Sequence, residues 1–376
     1  MENLEKIKVL HVHGDLVAGG GQVLSREWLS GLDKTGFESR VVVLNNPLTL
    51  KKSFEEKAIP VDVISGNRIQ QILKLVKYIR VHKFDVVHTQ SEPDRKVGHW
   101  AALLTRKPVV ASLHSQWVYF SPVVQMSIFR KIKFQISLLL RKISEKSVVS
   151  FVATSNAVKS EYSKYTSKDI YVVEPGIQVI DEHLNREDRE SIRERLGIKP
   201  NQKLIVNASR LDSLKNLDDF VLAVAKLKRE HDVVGHIYGE GERALLINKL
   251  IYDLDCGDFI KVLSPVIDLG EILNASDIYL APSLSESFGM SIVEAMSRAV
   301  PVVAYDLPAY EKFSNSISLI KKGDVDSLVL ETSKLLLDNS EYNHLAGKGI
   351  ETSKKYDIKI GIRQVQEIYE SIVGRI

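Results

Sequence analysis

The stretch APSLSESFGMSIVEAM (281–296) sets two carboxylates, Glu286 and Glu294, eight residues apart, with Phe288 and Gly289 between them. A carboxylate accepts two hydroxyl hydrogen bonds at once, which suits the diols of a ribose or a hexose. The pattern reads as a strand end, a loop, then a helix starting at about Gly289 or Met290. Backbone N–H groups of Phe288, Gly289 and Met290 would therefore be open to the same ligand. A helix-capping carboxylate followed by a solvated helix residue would show the same spacing. A second constellation, NASRLDSLKN (207–216), puts Arg210 and Lys215 just after another strand-like run. A forked guanidinium and a point-charge ammonium together hold a diphosphate and neutralise a leaving group. A solvated basic loop is the alternative.

His114 ends a strand-like run in ASLHSQWVYFSP (111–122), with Trp117, Tyr119 and Phe120 close behind. Histidine there can hydrogen-bond a sugar hydroxyl, and the aromatic rings suit sugar faces or lipid tails; a structural strand-end histidine is the competing reading. His11, His13 and His88 also lie on strand-like runs, with no pattern that makes them ligands. Two glycine-rich turns follow strands: GDLVAGGGQ (14–22), which holds Gly20, and YGEGER (238–243), which holds Gly239 and Gly241. Such turns let a backbone approach phosphate closely at the positive end of the next helix. Neither turn matches GxGxxG, and plain turn chemistry also uses glycine.

These residues need elements to position them. β-branched runs such as KVLHVHG, RVVVLN, DVVHT and PVVASLH alternate with helical patterns such as QVLSREWLSGL and QQILKLVKYIRVH. Strands with few polar positions, alternating with helices, indicate a parallel sheet covered on both faces. After the charged segment DEHLNREDRESIRERLGIKPNQ (181–202) a second series begins, with KLIVNAS, VVGHIYG, FIKVLS, IYLAPS and PVVAYD. Two Rossmann-like α/β domains are predicted, at 1–180 and 181–356, with an amphipathic helix at 357–376 packing back on the first.

Length and composition agree. The 376 residues exceed what one core usually holds, and 44% hydrophobic with 26% charged residues describe an ordinary globular chain. Cys256 is the only cysteine, so an internal disulfide is excluded, a cysteine metal site is not expected, and a reducing cytosol fits. The chain opens on charged residues running into a strand, so no secretory leader is expected, and no apolar run is long enough for a membrane span. Residues 1–180 carry 26 Lys and Arg against 16 Asp and Glu, while the remainder is acidic. The two halves should meet different partners.

The order glycine turn, strand–His, strand–Arg-x4-Lys, GxG, then Glu-x7-Glu resembles glycosyltransferase family 4, which has the GT-B fold of two Rossmann-like domains facing a central cleft. SDIYLAPSLSESFGMSIVEAMSRAVPVV carries the most specific part of the likeness. GGGQVLSREWLSGL, SRLDSLKN, IYGEGE, ATSNAV and the last helix with Tyr369 extend it over nearly the whole chain. The resemblance implies a retaining, metal-independent transfer of a hexosyl unit from a nucleotide diphosphate sugar, UDP- or GDP-linked, to a glycan or lipid-linked acceptor, and no other cofactor. It implies that Gly20 offers its N–H to the donor phosphate and that Arg210 and Lys215 bind the diphosphate. Glu294 would hold the ribose and Glu286 the donor sugar, with the amides of Phe288, Gly289 and Met290 assisting. Gly239 and Gly241 would line the donor site, Val266 the base, and His114 would meet the donor sugar from the first domain. Several positions depart from the family pattern: Gln22, Val23, Pro175, Asn216, Ser264 and Ala299. Asn216 and Ala299 stand where the family usually has glycine.

Residues 95–146 hold ten basic residues and one acid, Glu145. Within them, the basic helix 123–146 has apolar positions at helical spacing. It fits either a surface helix packed on the sheet or a helix lying on an anionic membrane, which would make the protein peripheral on the inner face of the membrane. No nucleic-acid recognition module is evident. A non-catalytic subunit partnering another transferase, and a phosphorylase or sugar-phosphate transferase on the same fold, are the competing functions.

Overall fold

The structure, a computed structural model, describes residues 5–17, 19–114, 136–137, 139–178, 189–266 and 268–374. The chain divides into two units, Met1–Pro175 with Lys359–Ile376, and Gly176–Ile358. Each unit is a parallel sheet covered by helices, as the near-continuous apolar strands require.

The first unit holds β1 (Ile7–His13), β2 (Phe37–Val43), β3 (Val61–Val63), β4 (Val86–Thr89), β5 (Val109–Leu113), β6 (Val148–Ala153) and β7 (Asp169–Val172). They are arranged β3-β2-β1-β4-β5-β6-β7, all parallel. Strand order reverses between β1 and β4, the place where open α/β sheets bind ligands at their carboxyl ends. Every residue of β4 and β5 is buried. The closing helix Ile358–Val373 belongs to this unit from Lys359 onward. It lies against the helix Gly20–Gly31: a Cβ on Gly31 would sit 2.2 Å from Ile362, and one on Gly361 would sit 3.1 Å from the Trp28 indole nitrogen.

The second unit holds β8 (Lys203–Ala208), β9 (Val233–Tyr238), β10 (Ile260–Leu263), β11 (Ile278–Ala281), β12 (Val302–Tyr305) and β13 (Ser318–Ile320), in the order β10-β9-β8-β11-β12-β13, again parallel. Its reversal falls between β8 and β11. Two apolar cores fill its faces, one around Phe288, Tyr310 and Phe313, the other around Phe220, Ile237 and Leu328.

Trp117, Tyr119, Phe120 and residues 123–135 of the basic helix lie outside the described residues, as does the expected domain boundary at 180. In the part of the basic helix that is described, Ile136, Leu139 and Leu140 are exposed and Arg141 donates to Glu145 at 2.7 Å. Among the described residues no helix is long and apolar enough to cross a membrane.

Candidate functional site

In the second unit β8 and β11 pair through only two residue pairs, Ile205 with Ile278 and Val206 with Tyr279, so their carboxyl ends part. Side chains bridge the gap. Asn207 donates from Nδ2 to the Leu280 carbonyl at 2.8 Å. The buried Tyr279 hydroxyl accepts from the Ala208 N–H at 3.2 Å and lies 2.8 Å from Ser291 Oγ. Burial pushes its pKa up, so it stays a neutral strut.

The two loops that leave this gap carry the charged residues. The loop after β8 turns against the glycine turn after β9. A Cβ on Gly239 would stand 1.9 Å from the Ser209 carbonyl oxygen, and one on Gly241 2.4 Å from that of Leu211. These glycines therefore pack backbone against backbone, and they position Arg210 and its neighbours. Arg210 itself is exposed at 62% and pairs with Asp212 at 3.0 Å. Lys215 follows, then Asn216 in the left-handed region (φ 49°), which explains why a glycine is usual at that position. The Leu284 N–H donates to the Leu214 carbonyl at 2.7 Å, tying the loop after β8 to the loop after β11.

That tie brings Lys215 onto Glu286. Lys215 Nζ donates to Glu286 Oε1, both side chains being less than one-fifth exposed, and Ser283 Oγ lies 3.4 Å from the same oxygen. Glu286 therefore caps no helix. The next helix, Met290–Ser297, starts from Gly289, whose φ of 93° and whose approach to Tyr310, 2.8 Å from a would-be Cβ, admit glycine alone. No side chain caps that helix, so its first amides are not taken by a capping group. The Phe288 ring turns into the core against Phe313 and Tyr356, with Lys312 Nζ 3.8 Å from its centroid; only its backbone is left to face a ligand. Glu294 sits one turn into the helix. Its pKa is pushed up to about 7, first by burial and then by the Asp268 carboxylate, against the pull of Arg298. Val266 is half-buried beyond β10 and packs against the Phe288 core.

The first unit positions His114 and Gly20. His114 follows β5 and its ring lies 3.4 Å from where a Cβ of Gly21 would be, so the glycine turn after β1 and the end of β5 meet. Gly20 opens the helix Gly20–Gly31, which has no side-chain cap and no acid in its first turn. Its amino end keeps its full positive character. Beneath them lies a buried polar chain from β1, the helix Gly20–Gly31, β4 and its end, and the closing helix: His11, His13, Ser25, His88, Gln90 and Tyr369. Burial lowers the pKa of every one of these histidines, to about 3 for His13.

Residues 188–352 match the model of the glycosyl transferases group 1, and residues 18–179 that of Glycosyltransferase Family 4. The chain belongs to glycosyltransferase family 4. N-acetyl-alpha-D-glucosaminyl L-malate synthase of Bacillus anthracis is 25% identical over 236 residues, which are 61% of this chain and 61% of that enzyme's length. The UDP-Gal:alpha-D-GlcNAc-diphosphoundecaprenol alpha-1,3-galactosyltransferase of Escherichia coli is 25% identical over 88% of this chain and 85% of its own. The crystal structure of Anabaena HepE with UDP-glucose superposes with a TM-score of 0.82 at 20% identity, over 97% of this chain and 100% of that one. The fold is GT-B.

For this family 4 chain, Arg210, Lys215, Glu286, Gly289, Met290 and Glu294 gather at the carboxyl edge of the second sheet, while Gly20 and His114 stand at that of the first. Gly239 and Gly241 act through the backbone they admit. Residue patterns passed over Asn207, Tyr279, Ser283 and Gln90. Each is a polar residue in or just after a strand that also carries a charged or histidine candidate, and that adjacency is the only signal the sequence holds for them.

Proposed function

We propose that this protein is a retaining glycosyltransferase that moves a hexosyl unit from a nucleotide diphosphate sugar to a glycan or lipid-linked acceptor. The observation that carries the reading is the Lys215–Glu286 pair, beside Arg210, at the β8/β11 reversal. A diphosphate needs cations and a sugar needs an acceptor of hydroxyl protons, and this edge offers both within one contact. Lysine has three N–H donors, so Lys215 can keep Glu286 and still reach a phosphate oxygen.

The chemistry follows. As the bond from the anomeric carbon to the diphosphate oxygen breaks, positive charge grows on the sugar and negative charge on the leaving phosphate. Arg210 and Lys215 offset the latter, the task a metal performs elsewhere. The acceptor hydroxyl attacks from the face the phosphate leaves, and the phosphate takes its proton. Glu286 positions the donor sugar and Glu294 accepts from the ribose hydroxyls. Gly20 binds the phosphate through its N–H, and Val266 covers the base. UDP is the first base to test, because HepE was solved with UDP-glucose. The relatives differ in acceptor, L-malate in one name and a diphosphoundecaprenol-linked sugar in another. The longer match is to the second, which supports a lipid-linked glycan here. The basic segment 123–146 is then the proposed contact with an anionic membrane, and salt-sensitive sedimentation with phosphatidylglycerol vesicles tests it.

The deciding experiment is thermal stabilisation by UDP-, GDP-, ADP- and dTDP-linked sugars without metal, followed by chelator-treated turnover and NMR of the product's anomeric carbon. A ligand at about 100 times its Kd adds about 2.7 kcal/mol, which a melting curve reads easily. A shift with one donor, turnover in chelator and retained configuration support the reading. No shift with any donor overturns it.

A further inference from the structure

His114 Nε2 lies 3.1 Å from Oε1 of Gln90. An amide oxygen only accepts, so the ring nitrogen facing it carries the proton. The other end of the same amide, Gln90 Nε2, donates to His11 Nδ1 at 3.1 Å. His11 must then carry its proton on Nε2, which donates to the Tyr369 hydroxyl at 2.8 Å. Tyr369 in turn donates to His88 Nδ1 at 2.6 Å, and His88 Nε2 donates to Ser112 Oγ at 2.8 Å. From Gln90 to His88 each group gives one proton to the next and takes one from the last, so the orientation of the Gln90 amide sets the sense of the chain along its length. Reversing it requires turning the Gln90 amide and moving the proton of every ring in the chain to its other nitrogen. Gln90 is further held by its own N–H, which donates to Asp94 Oδ2 at 2.6 Å.

The rings are neutral at ordinary pH. Burial, and then the nearby Arg95 guanidinium, push His114 down to about 4. Arg95 faces it from the helix Glu92–Thr105, His13 from β1 and His88 from β4. A neutral ring protonated at Nε2 has one polar atom left, Nδ1, and among the described residues nothing bonds it.

We propose that Gln90 is a positioning residue that locks His114 in the Nε2–H tautomer, so that Nδ1 accepts a hydrogen bond from a hydroxyl of the bound sugar. Tyr369, on the closing helix, carries the same chain on from His11 to His88. Only the choice of a sugar hydroxyl as partner rests on the function proposed above; the tautomer lock stands on the hydrogen bonds alone.

Long-range 1H–15N correlation spectra of the intact protein labelled with 15N-histidine read the tautomer directly. The His114 signals are identified by their loss in His114→Asn. Between pH 6 and 8 His114 should show the neutral Nε2–H pattern, and Gln90→Leu should convert it to a mixture of both tautomers. Gln90→Glu, nearly isosteric, keeps the acceptor but favours the charged ring, so it should raise the titration of His114 towards neutrality. Turnover of the donor found in the thermal panel should fall about tenfold in Gln90→Leu, one neutral hydrogen bond's worth. In Gln90→Glu the pH profile should gain an inflection that the parent lacks. An Nδ1–H pattern in the unmodified protein overturns the proposal, and so does an unchanged tautomer in Gln90→Leu. If Gln90→Leu does not fold, the unmodified spectrum and Gln90→Glu decide. If the tautomer is as expected but no nucleotide sugar binds, the lock stands and the glycosyltransferase reading falls.

Discussion

Between β1 and β4 the first unit buries His11, His13 and His88 in one neutral hydrogen-bonded chain. Between β8 and β11 the second unit keeps a Lys–Glu pair near water and an arginine in it. Both places are the strand-order reversals of parallel sheets, where the helix amino ends and strand carboxyl ends make a ligand edge. Burial separates them. A charge taken fully out of water costs several kcal/mol, so the deep edge is built from groups that can be neutral. On the function proposed here, an edge that meets a diphosphate keeps its cations partly wet and lends them a carboxylate partner until the phosphate arrives. On this comparison the second unit supplies charge, and the first supplies shape and a single oriented ring.

The comparison breaks most easily at Lys215. Lys215→Ala should lower turnover by 10²-fold or more, the effect of removing one electrostatic contact to a developing anion. The same change strands the Glu286 carboxylate, so Lys215→Ala with Glu286→Gln should recover donor affinity better than turnover. Arg210→Ala should cost less, because the Arg210 side chain is 62% exposed. Steady-state rates with the donor identified by thermal shift check all three. Equal losses in Arg210→Ala and Lys215→Ala would show that the Lys215–Glu286 pair has no special standing.

None of this pairing is written in a short stretch of sequence. The strands of both sheets were legible because runs such as KVLHVHG and KLIVNAS have few polar positions and carry β-branched residues, and both occur as strands at Ile7–His13 and Lys203–Ala208. The order of strands was not, since it arises from which helices cross where. Lys215 and Glu286 are 71 residues apart and meet only because β8 lies beside β11. His11 and Tyr369 are separated by 358 residues. A histidine on an apolar strand therefore read as a residue without a task, and only the closing helix reveals its partner. Local backbone demands were easier to read. Asn216 and Ala299 stood out as replacements for glycine, and both have positive φ, 49° and 58°.

A second test sets the two edges against each other by pH. The buried histidines His11, His13 and His88 of the first unit have folded pKa values below the ordinary 6.5, so as pH falls the unfolded chain takes protons first. Their contribution is present above pH 6.5 and is lost as pH falls towards the folded value, about 3 for His13. Each such group costs about 1.4 kcal/mol per pH unit within its window. Glu294 runs the other way. Its folded value of about 7 lies above the ordinary 4.5, so its contribution is complete below 4.5 and is lost as pH rises through about 7. All three tryptophans, Trp28, Trp100 and Trp117, precede residue 176, so their fluorescence follows the first unit alone. The urea midpoint read by tryptophan should fall between pH 7 and pH 5, and that of a probe placed in the second unit should fall less, because Glu294 there offsets His236, which burial holds at about 4. Matching declines in both would reject the opposed titration.

The smallest expected effect lies at Ala299, just past the helix Met290–Ser297. The Val300 N–H donates to the Ala295 carbonyl at 3.0 Å and the Ala299 N–H to that of Met296 at 3.2 Å, a helix end that wraps through a left-handed residue. Alanine in that region costs roughly 1–2 kcal/mol because its Cβ crowds the following carbonyl. Glycine removes the crowding but leaves a more mobile unfolded chain, which takes back about 0.4–1 kcal/mol. Ala299→Gly should therefore stabilise the second unit by about 0.5 kcal/mol. It should leave the tryptophan midpoint of the first unit, and turnover at saturating donor, where they were. A stabilised first unit would mean that the two melt together, and the pH comparison would then have to be read on the chain as one body. A destabilised second unit would mean that the Ala299 methyl packs usefully enough to outweigh its strained backbone.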